Sequence, residues 1–275
     1  MSNGTLELSL PQAGGRLALA RALAHWRAFL VRVLLPLATA ALALAVWQAV
    51  VRWYDVPETL LPAPTDIWAR LVETHALLLK HAVPTAVEAG AGFLIAVVLG
   101  VALAIALAYS ALFAAAVYPS VVLFQLIPKI ALAPLFVVWL GIGTESRLAF
   151  TVFISFFPMV VATEAGLRAT PADMLRLCRS LTATPWQVFT AVRLPYAVPY
   201  IFSGMKIAVT FAIIGVIVAE FITAQQGLGF IIIFASSKAD TALVLAAIVV
   251  LCLVGLAFYA LVLAAERLMA RWYGG

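Results

Sequence analysis

Between Glu88 and Lys129 the chain runs for some forty residues without a charged side chain. One membrane helix needs ~20 apolar residues, so the run holds two. Near its middle, Tyr109-Ser110 and Tyr118-Pro119 supply interfacial aromatics and a helix-starting proline, which predicts two helices folded back through a tight turn. Other charge-poor stretches are Val33 to Val51, Ile130 to Thr144, Leu148 to Thr163, Ile207 to Ala219 and Thr241 to Ala265. Six spans are expected, near 33–52, 87–108, 119–140, 147–167, 203–222 and 241–265. Between the first two, Asp55 to Val83 reads as an outer segment in which Thr65-Asp66 opens a short helix reaching Lys80. Such a segment lies on the membrane or contacts a partner protein.

Basic residues order these spans. Arg16, Arg21, Arg27 and Arg32 precede the first, Arg168, Arg176, Arg179, Arg193 and Lys206 surround the fourth connection, and Arg267 and Arg271 follow the last. The positive-inside rule makes that side cytoplasmic, with both termini on it. The opposite loops mix Arg52, Arg70, Lys80, Arg147 and Lys238 with six acids. The organisation expected is a basic cytoplasmic N-terminal segment (1–32), a first transmembrane helix and periplasmic loop (33–84), a core (85–267) containing the loop 170–195, and a cytoplasmic tail (268–275).

Composition agrees. An apolar content of 65%, a charged content of 11% and a mean hydropathy of +1.13 cannot be hidden in a soluble core of 275 residues. The net charge of +5 is distributed around spans rather than gathered in a patch, so topology explains it and nucleic acid does not. Ala43-Leu44-Ala45 has the look of a signal-peptidase site, but the uncharged stretch before Arg52 is long for a signal sequence, and the segment is read as a permanent span. Cys178 and Cys252 fall in different parts of the pattern and indicate neither a disulfide nor a metal cluster.

Thr170 to Pro195 carries the most information outside the membrane. Thr170, Pro171 and Asp173 give an N-cap, a first-turn proline and an acid suited to the helix dipole, and Thr184-Pro185 repeats the cap and proline. Two short helices are predicted, joined through Thr182-Ala183. Met174, Leu177, Cys178 and Leu181 fall at helical spacing on the first, and Val188, Phe189 and Val192 on the second. A basic amphipathic pair of this kind suits lipid headgroups or a protein partner equally.

Three blocks break the tie: IPKIALAPLFVVWLGIG at 127–143, RLCRSLTATPWQVFTAVRLPYAVPYIFSGMKIAV at 176–209 and VAEFITAQQGLGFII at 218–232. Through them the chain, from about Thr85 to Glu266, resembles the permease subunits of binding-protein-dependent ATP-binding-cassette importers of the nitrate, sulfonate and taurine type. The middle block stands where that family carries its Glu-Ala-Ala-x3-Gly-x9-Ile-x-Leu-Pro loop. Val192, Leu194 and Pro195 fit, whereas Arg176-Leu177-Cys178 replace Glu-Ala-Ala and Thr182 replaces the glycine. A β-branched residue resists the left-handed backbone that glycine takes freely, which predicts a turn of altered shape.

The resemblance implies an all-α membrane protein of about six spans in a type I importer permease architecture. It also implies a cytoplasmic coupling helix seated in a separate ATPase through Arg176, Leu177, Cys178, Leu181, Thr182, Ala183, Thr184, Pro185, Phe189, Leu194 and Pro195. The expected assembly is two copies of the permease, two ATPase subunits and a periplasmic or lipid-anchored substrate-binding protein in the bacterial inner membrane. Gln226-Gly227-Leu228-Gly229 is read as an outer-surface turn, and the resemblance places it in a re-entrant region near the gate.

The chain is expected not to be an enzyme and to hold no cofactor, ATP and Mg belonging to the partner. No G-x-x-x-x-G-K-[ST] loop, H-E-x-x-H motif or G-x-S-x-G elbow is present, and His25, His75 and His81 fall outside the predicted spans. Gln125, Lys129 and Glu220 are the candidates for the translocation pathway, because polar groups at membrane depth are costly unless they face protein or water. Lys129 follows Pro128 and suits an anionic solute; the competing reading has it snorkel or pair with Glu220 to fix packing. Glu88, Glu164 and Glu220 stand near span ends, where structural roles predominate. Gly90, Gly92, Ala96 and Gly100 form a small-residue ridge for close helix contact. An ion-gradient-driven transporter or channel is the alternative, weakened because no inverted second half is evident.

Overall fold

The structure is a computed structural model that describes residues 30–223 and 225–273. The basic positions Arg16, Arg21 and Arg27, His25 and the last two residues of the tail lie outside that range. Among the described residues the architecture is all-helical. A π-helical turn, Leu30–Leu34, leads into α1 (Leu35–Trp53), followed by α2 (Pro64–Glu73), α3 (His75–Tyr109), α4 (Ala111–Leu126), α5 (Ala133–Leu140), α6 (Thr144–Arg168), α7 (Ala172–Ser180), α8 (Pro185–Thr223), α9 (Leu228–Ser237) and α10 (Thr241–Tyr273).

Two units are distinguished, one ending at Asp66 and the other beginning at Ile67. In the first, the chain after α1 folds back on it. Arg52 pairs with Asp66 at 2.6 Å, and Gln48 exchanges side-chain hydrogen bonds with Thr65, donating to its Oγ1 at 3.1 Å and accepting from its N–H at 3.2 Å.

The second unit is built around α6, which packs against α3 on one side and α8 on the other. Small residues set those approaches. A Cβ added at Gly92 would come 2.5 Å from Thr151 Cγ2, and one at Gly100 2.5 Å from Met159 Cβ. Ala96 between them is fully buried, so the ridge read from spacing is the seam between α3 and α6. Gly90 instead faces Phe258 of α10. A buried ion pair crosses the same seam: Arg147 donates from Nε and Nη2 to the two carboxylate oxygens of Glu88 at 2.8 and 2.6 Å. Lys206 of α8 pairs with Glu266 of α10 at 2.9 Å, and Arg70 of α2 with Asp240, ahead of α10, at 2.5 Å. The Asp240 hydrogen bond pushes the Arg70 guanidinium up from its ordinary value.

Several boundaries differ from the expected ones, for local reasons. The third span is not one straight helix: α4 and the segment Lys129–Leu140 meet at 91°. Ile127, extended at ψ 134°, precedes Pro128, whose ring disfavours helical backbone in the residue before it. Pro119 does not start a helix but lies inside α4, which begins at Ala111 behind the N-cap Ser110; the Ser110 hydroxyl accepts the Phe113 N–H at 3.1 Å. The outer helix stops at Glu73, and Lys80 belongs to α3, which starts at His75 and so contains both His75 and His81. The fifth span starts at Pro185 rather than near 203, because the second amphipathic helix continues through a π-helical stretch, Phe189–Arg193, directly into it.

Candidate functional site

The segment 170–195, where coupling to an ATPase is expected, is fixed by its caps. At the end of α7, Thr182 N–H donates to Arg179 O at 3.1 Å and Ala183 N–H to Cys178 O at 3.0 Å, the paired bonds of a Schellman ending. That ending needs a left-handed residue, and Thr182 takes φ 51°. The backbone shape that glycine would adopt is therefore retained despite the β-branched side chain, contrary to the altered turn expected from sequence. Thr184 then caps α8 with a full capping box, its hydroxyl accepting Gln187 N–H at 3.3 Å while Gln187 Oε1 accepts Thr184 N–H at 2.8 Å. At the head of α7 the N-cap is Pro171 rather than Thr170; Thr170 is buried instead.

These caps sort the eleven expected coupling residues. Leu177 and Leu181 are 53% and 70% exposed, as is Trp186 at 68%, and Arg176, Thr182, Thr184 and Pro185 share the open surface. Cys178, Ala183, Leu194 and Pro195 are half-buried. Phe189 points inward: it is buried with Leu167 and Ala197, and its ring lies 5.6 Å from Tyr109 and 5.8 Å from Trp186. Phe189 is thus the anchor that holds the segment to the ends of α3 and α6, not part of the exposed face.

The pathway candidates separate. Gln125 and Lys129 sit together where α4 breaks, both half-buried, with Lys129 Nζ donating to Gln125 O at 3.1 Å and standing 5.5 Å from the centre of the Phe157 ring. Phe157 belongs to a chain of ring contacts that continues through Phe153 to Phe136 and on to Trp139. Among the described residues Lys129 forms no ion pair, so the branch of the competing reading that paired it with Glu220 is not met.

Glu220 is 2% exposed and fully engaged elsewhere. Its Oε1 accepts Thr85 Oγ1–H at 2.7 Å and its Oε2 accepts Gly229 N–H at 2.7 Å. Thr85 Oγ1 accepts Leu228 N–H at 2.9 Å, and His81 Nδ1 accepts Gly227 N–H at 3.0 Å. Gly227 turns the chain at φ 109° against the carboxylate, where a side chain would not fit. The knot therefore pins the turn before α9 to α3 and α8. Sequence reading missed Thr85, His81 and the Glu88–Arg147 pair. The available signal was the placement of hydroxyl, imidazole and carboxylate three or four residues apart along one face of α3.

Comparison with known proteins agrees with this architecture. Residues 92–271 match the family described as binding-protein-dependent transport system inner membrane components. The chain belongs to that family of ABC importer permeases, a multi-pass transport subunit and not itself an enzyme. It is 33% identical over 230 residues to the formylaminopyrimidine transport permease protein ThiX of Halalkalibacterium halodurans, covering 83% of this chain and 92% of that one. To the taurine transport system permease protein TauC of Escherichia coli it is 29% identical over 257 residues, covering 90% and 94%. In fold it matches an inward-facing crystal structure of the MetNI methionine ABC transporter with a TM-score of 0.59 at 20% identity, over 72% of this chain and 96% of that one. Family membership sets aside the gradient-driven alternative.

Proposed function

We propose that two copies of this chain form the pathway of an ATP-driven importer in a bacterial inner membrane. On this reading, both termini and the segment 170–195 face the cytoplasm, two ATPase subunits seat on that segment, and a periplasmic or lipid-anchored binding protein supplies solute at the other face. The observation that carries the coupling assignment is the exposed apolar surface of Leu177, Leu181 and Trp186, held by a Schellman ending and a capping box and anchored beneath by Phe189. Apolar side chains on an ordered, water-facing turn call for a protein partner. The test is copurification of the tagged chain from its native membrane beside a Leu177→Asp, Leu181→Asp variant. An ATPase retained by the wild type and lost from a still-folded variant supports the assignment; retention by both refutes it.

The solute we propose is small and anionic, of the sulfonate, taurine or nitrate kind. Lys129 supports this: it stands at the break between α4 and α5, and its ammonium meets a carbonyl and a ring and, among the described residues, no carboxylate. A second reading, a heteroaromatic solute, is favoured by the rings of Phe136, Trp139, Phe153 and Phe157 beside the same lysine. Uptake by Lys129→Ala separates the two, since loss of transport at normal expression supports the anion and unchanged transport favours the ring stack.

A further inference from the structure

Where α6 ends, α7 begins and α3 turns into α4, a cavity of about 390 Å³ opens, bordered by Ala111, Arg168, Thr170, Leu175 and Arg193. Its size is that of a small-molecule site, and two polar atoms of its lining residues lack a hydrogen-bond partner among the described residues. Thr170 is 7% exposed, and its hydroxyl is buried without a hydrogen-bond partner among the described residues, as is Arg193 Nε. The other contact of Arg193 is weak, Nη1 reaching Ala108 O at 3.5 Å. Buried polar atoms are almost always met by something.

The charge around the cavity has one sign. Arg168 and Arg193 line it, and Arg179 lines a neighbouring cavity that shares Ala108, Leu175 and Arg193. The acid in contact with this cluster is Glu164, which is buried and pairs with the Nε edge of Arg168; it orients that guanidinium and offsets its charge, whereas Arg193 forms no ion pair among the described residues. Ala111 adds the amino end of the 16-residue helix α4, where backbone N–H groups and the helix dipole favour an anion. Two guanidinium groups, a hydroxyl donor and a helix amino end approach from different elements, and a tetrahedral oxyanion accepts from several directions at once. Guanidinium groups match phosphate through paired hydrogen bonds.

We propose that this cavity binds a phosphate group, met by Arg168, Arg193, Thr170 and the first turn of α4. The group is either the headgroup of an anionic phospholipid or a soluble phosphate. Bound there, it ties the end of α6, the entry to α7 and the start of α8 together, the elements from which the coupling segment hangs.

The test uses the full chain in neutral detergent, with thermal unfolding followed during titration with inorganic phosphate at constant ionic strength. A parallel titration compares micelles doped with phosphatidylglycerol against micelles doped with diacylglycerol, which lacks the phosphate. A wild-type rise in Tm with inorganic phosphate supports a soluble ligand; a rise with phosphatidylglycerol alone supports a lipid headgroup. In either case Arg193→Gln and Thr170→Val weaken apparent affinity by about tenfold or more, Thr170→Ser retains it, and Arg267→Gln, an exposed arginine on α10, leaves it unchanged. Thr170→Val and Thr170→Ser bracket the native side chain in shape, so a loss in the first alone is a loss of the hydroxyl and not of the fold. No rise with either ligand, or a rise that persists in both Arg193→Gln and Thr170→Val, overturns the proposal.

Discussion

Glu220 enters the apolar end of α8 as a carboxylate with both oxygens engaged, by Thr85 and Gly229. Glu220→Ala leaves a buried hydroxyl and a buried backbone N–H without their acceptor, at about 1–3 kcal/mol for each group. A clear drop in thermal stability in detergent is the expected outcome, with Thr85→Val giving a comparable one because it strands the Leu228 N–H and one Glu220 oxygen. The Glu88–Arg147 pair behaves differently on removal of one side or both. Either single substitution to an apolar residue strands a buried charge, at about 3–5 kcal/mol, whereas the pair replaced together costs far less. A double-mutant cycle of Glu88→Leu and Arg147→Met, followed by thermal unfolding, measures that difference; additive losses would contradict it. At this scale the sequence was only half legible. The rule that a charge at membrane depth must face protein or water pointed to Glu220 and Lys129, as pathway candidates or, on the competing reading, as a pair. What it could not supply was the turn at Gly227, which carries backbone N–H groups to the carboxylate, because main-chain donors leave no trace in residue identity.

Among elements, the ridge on α3 was legible because its spacing alone fixes a helix face. Gly100→Val drives a branched side chain into Met159, already 2.5 Å from a bare Cβ. Overpacking of about 1–3 kcal/mol follows, and the expected result is lowered thermal stability with the helix content unchanged by circular dichroism. Spans were found for the same kind of reason, since hydropathy is a sum over neighbours and needs no geometry. It fails where direction changes without polarity changing. The 91° break at Ile127-Pro128 lies between Gln125 and Lys129 in otherwise apolar sequence, and a window average passes over it. The join of the second amphipathic helix to α8 was missed for the converse reason: Arg193 and the prolines at 195 and 199 look like interruptions, yet a π-helical turn absorbs the first and the helix carries Pro199 within it.

For the molecule as a whole, the consequence is a single lever. The helix α8 spans 39 residues, about 58 Å at 1.5 Å per residue, well beyond the ~30 Å apolar core of a bilayer. One end carries the capping box and Phe189, and the other carries Glu220 and its knot. On the proposed coupling, a displacement at the capping-box end reaches the turn before α9 through one continuous helix whose two irregularities are the π-helical stretch at 189–193 and the interior Pro199. The two ends should therefore respond differently to damage. Phe189→Ala removes a buried aromatic anchor and should cost about 3–5 kcal/mol in stability; Leu177→Ala, on the open face, should leave stability within about 0.5 kcal/mol while weakening ATPase copurification. Glu220→Ala should do neither at the coupling end: the ATPase still copurifies, yet stimulation of ATP hydrolysis by solute-loaded binding protein falls, because the far end no longer holds the element that the lever moves. Measuring copurification and stimulated hydrolysis on the same reconstituted samples checks this. Stimulation that survives in Glu220→Ala would mean that the signal crosses the membrane through α3 or α6 instead.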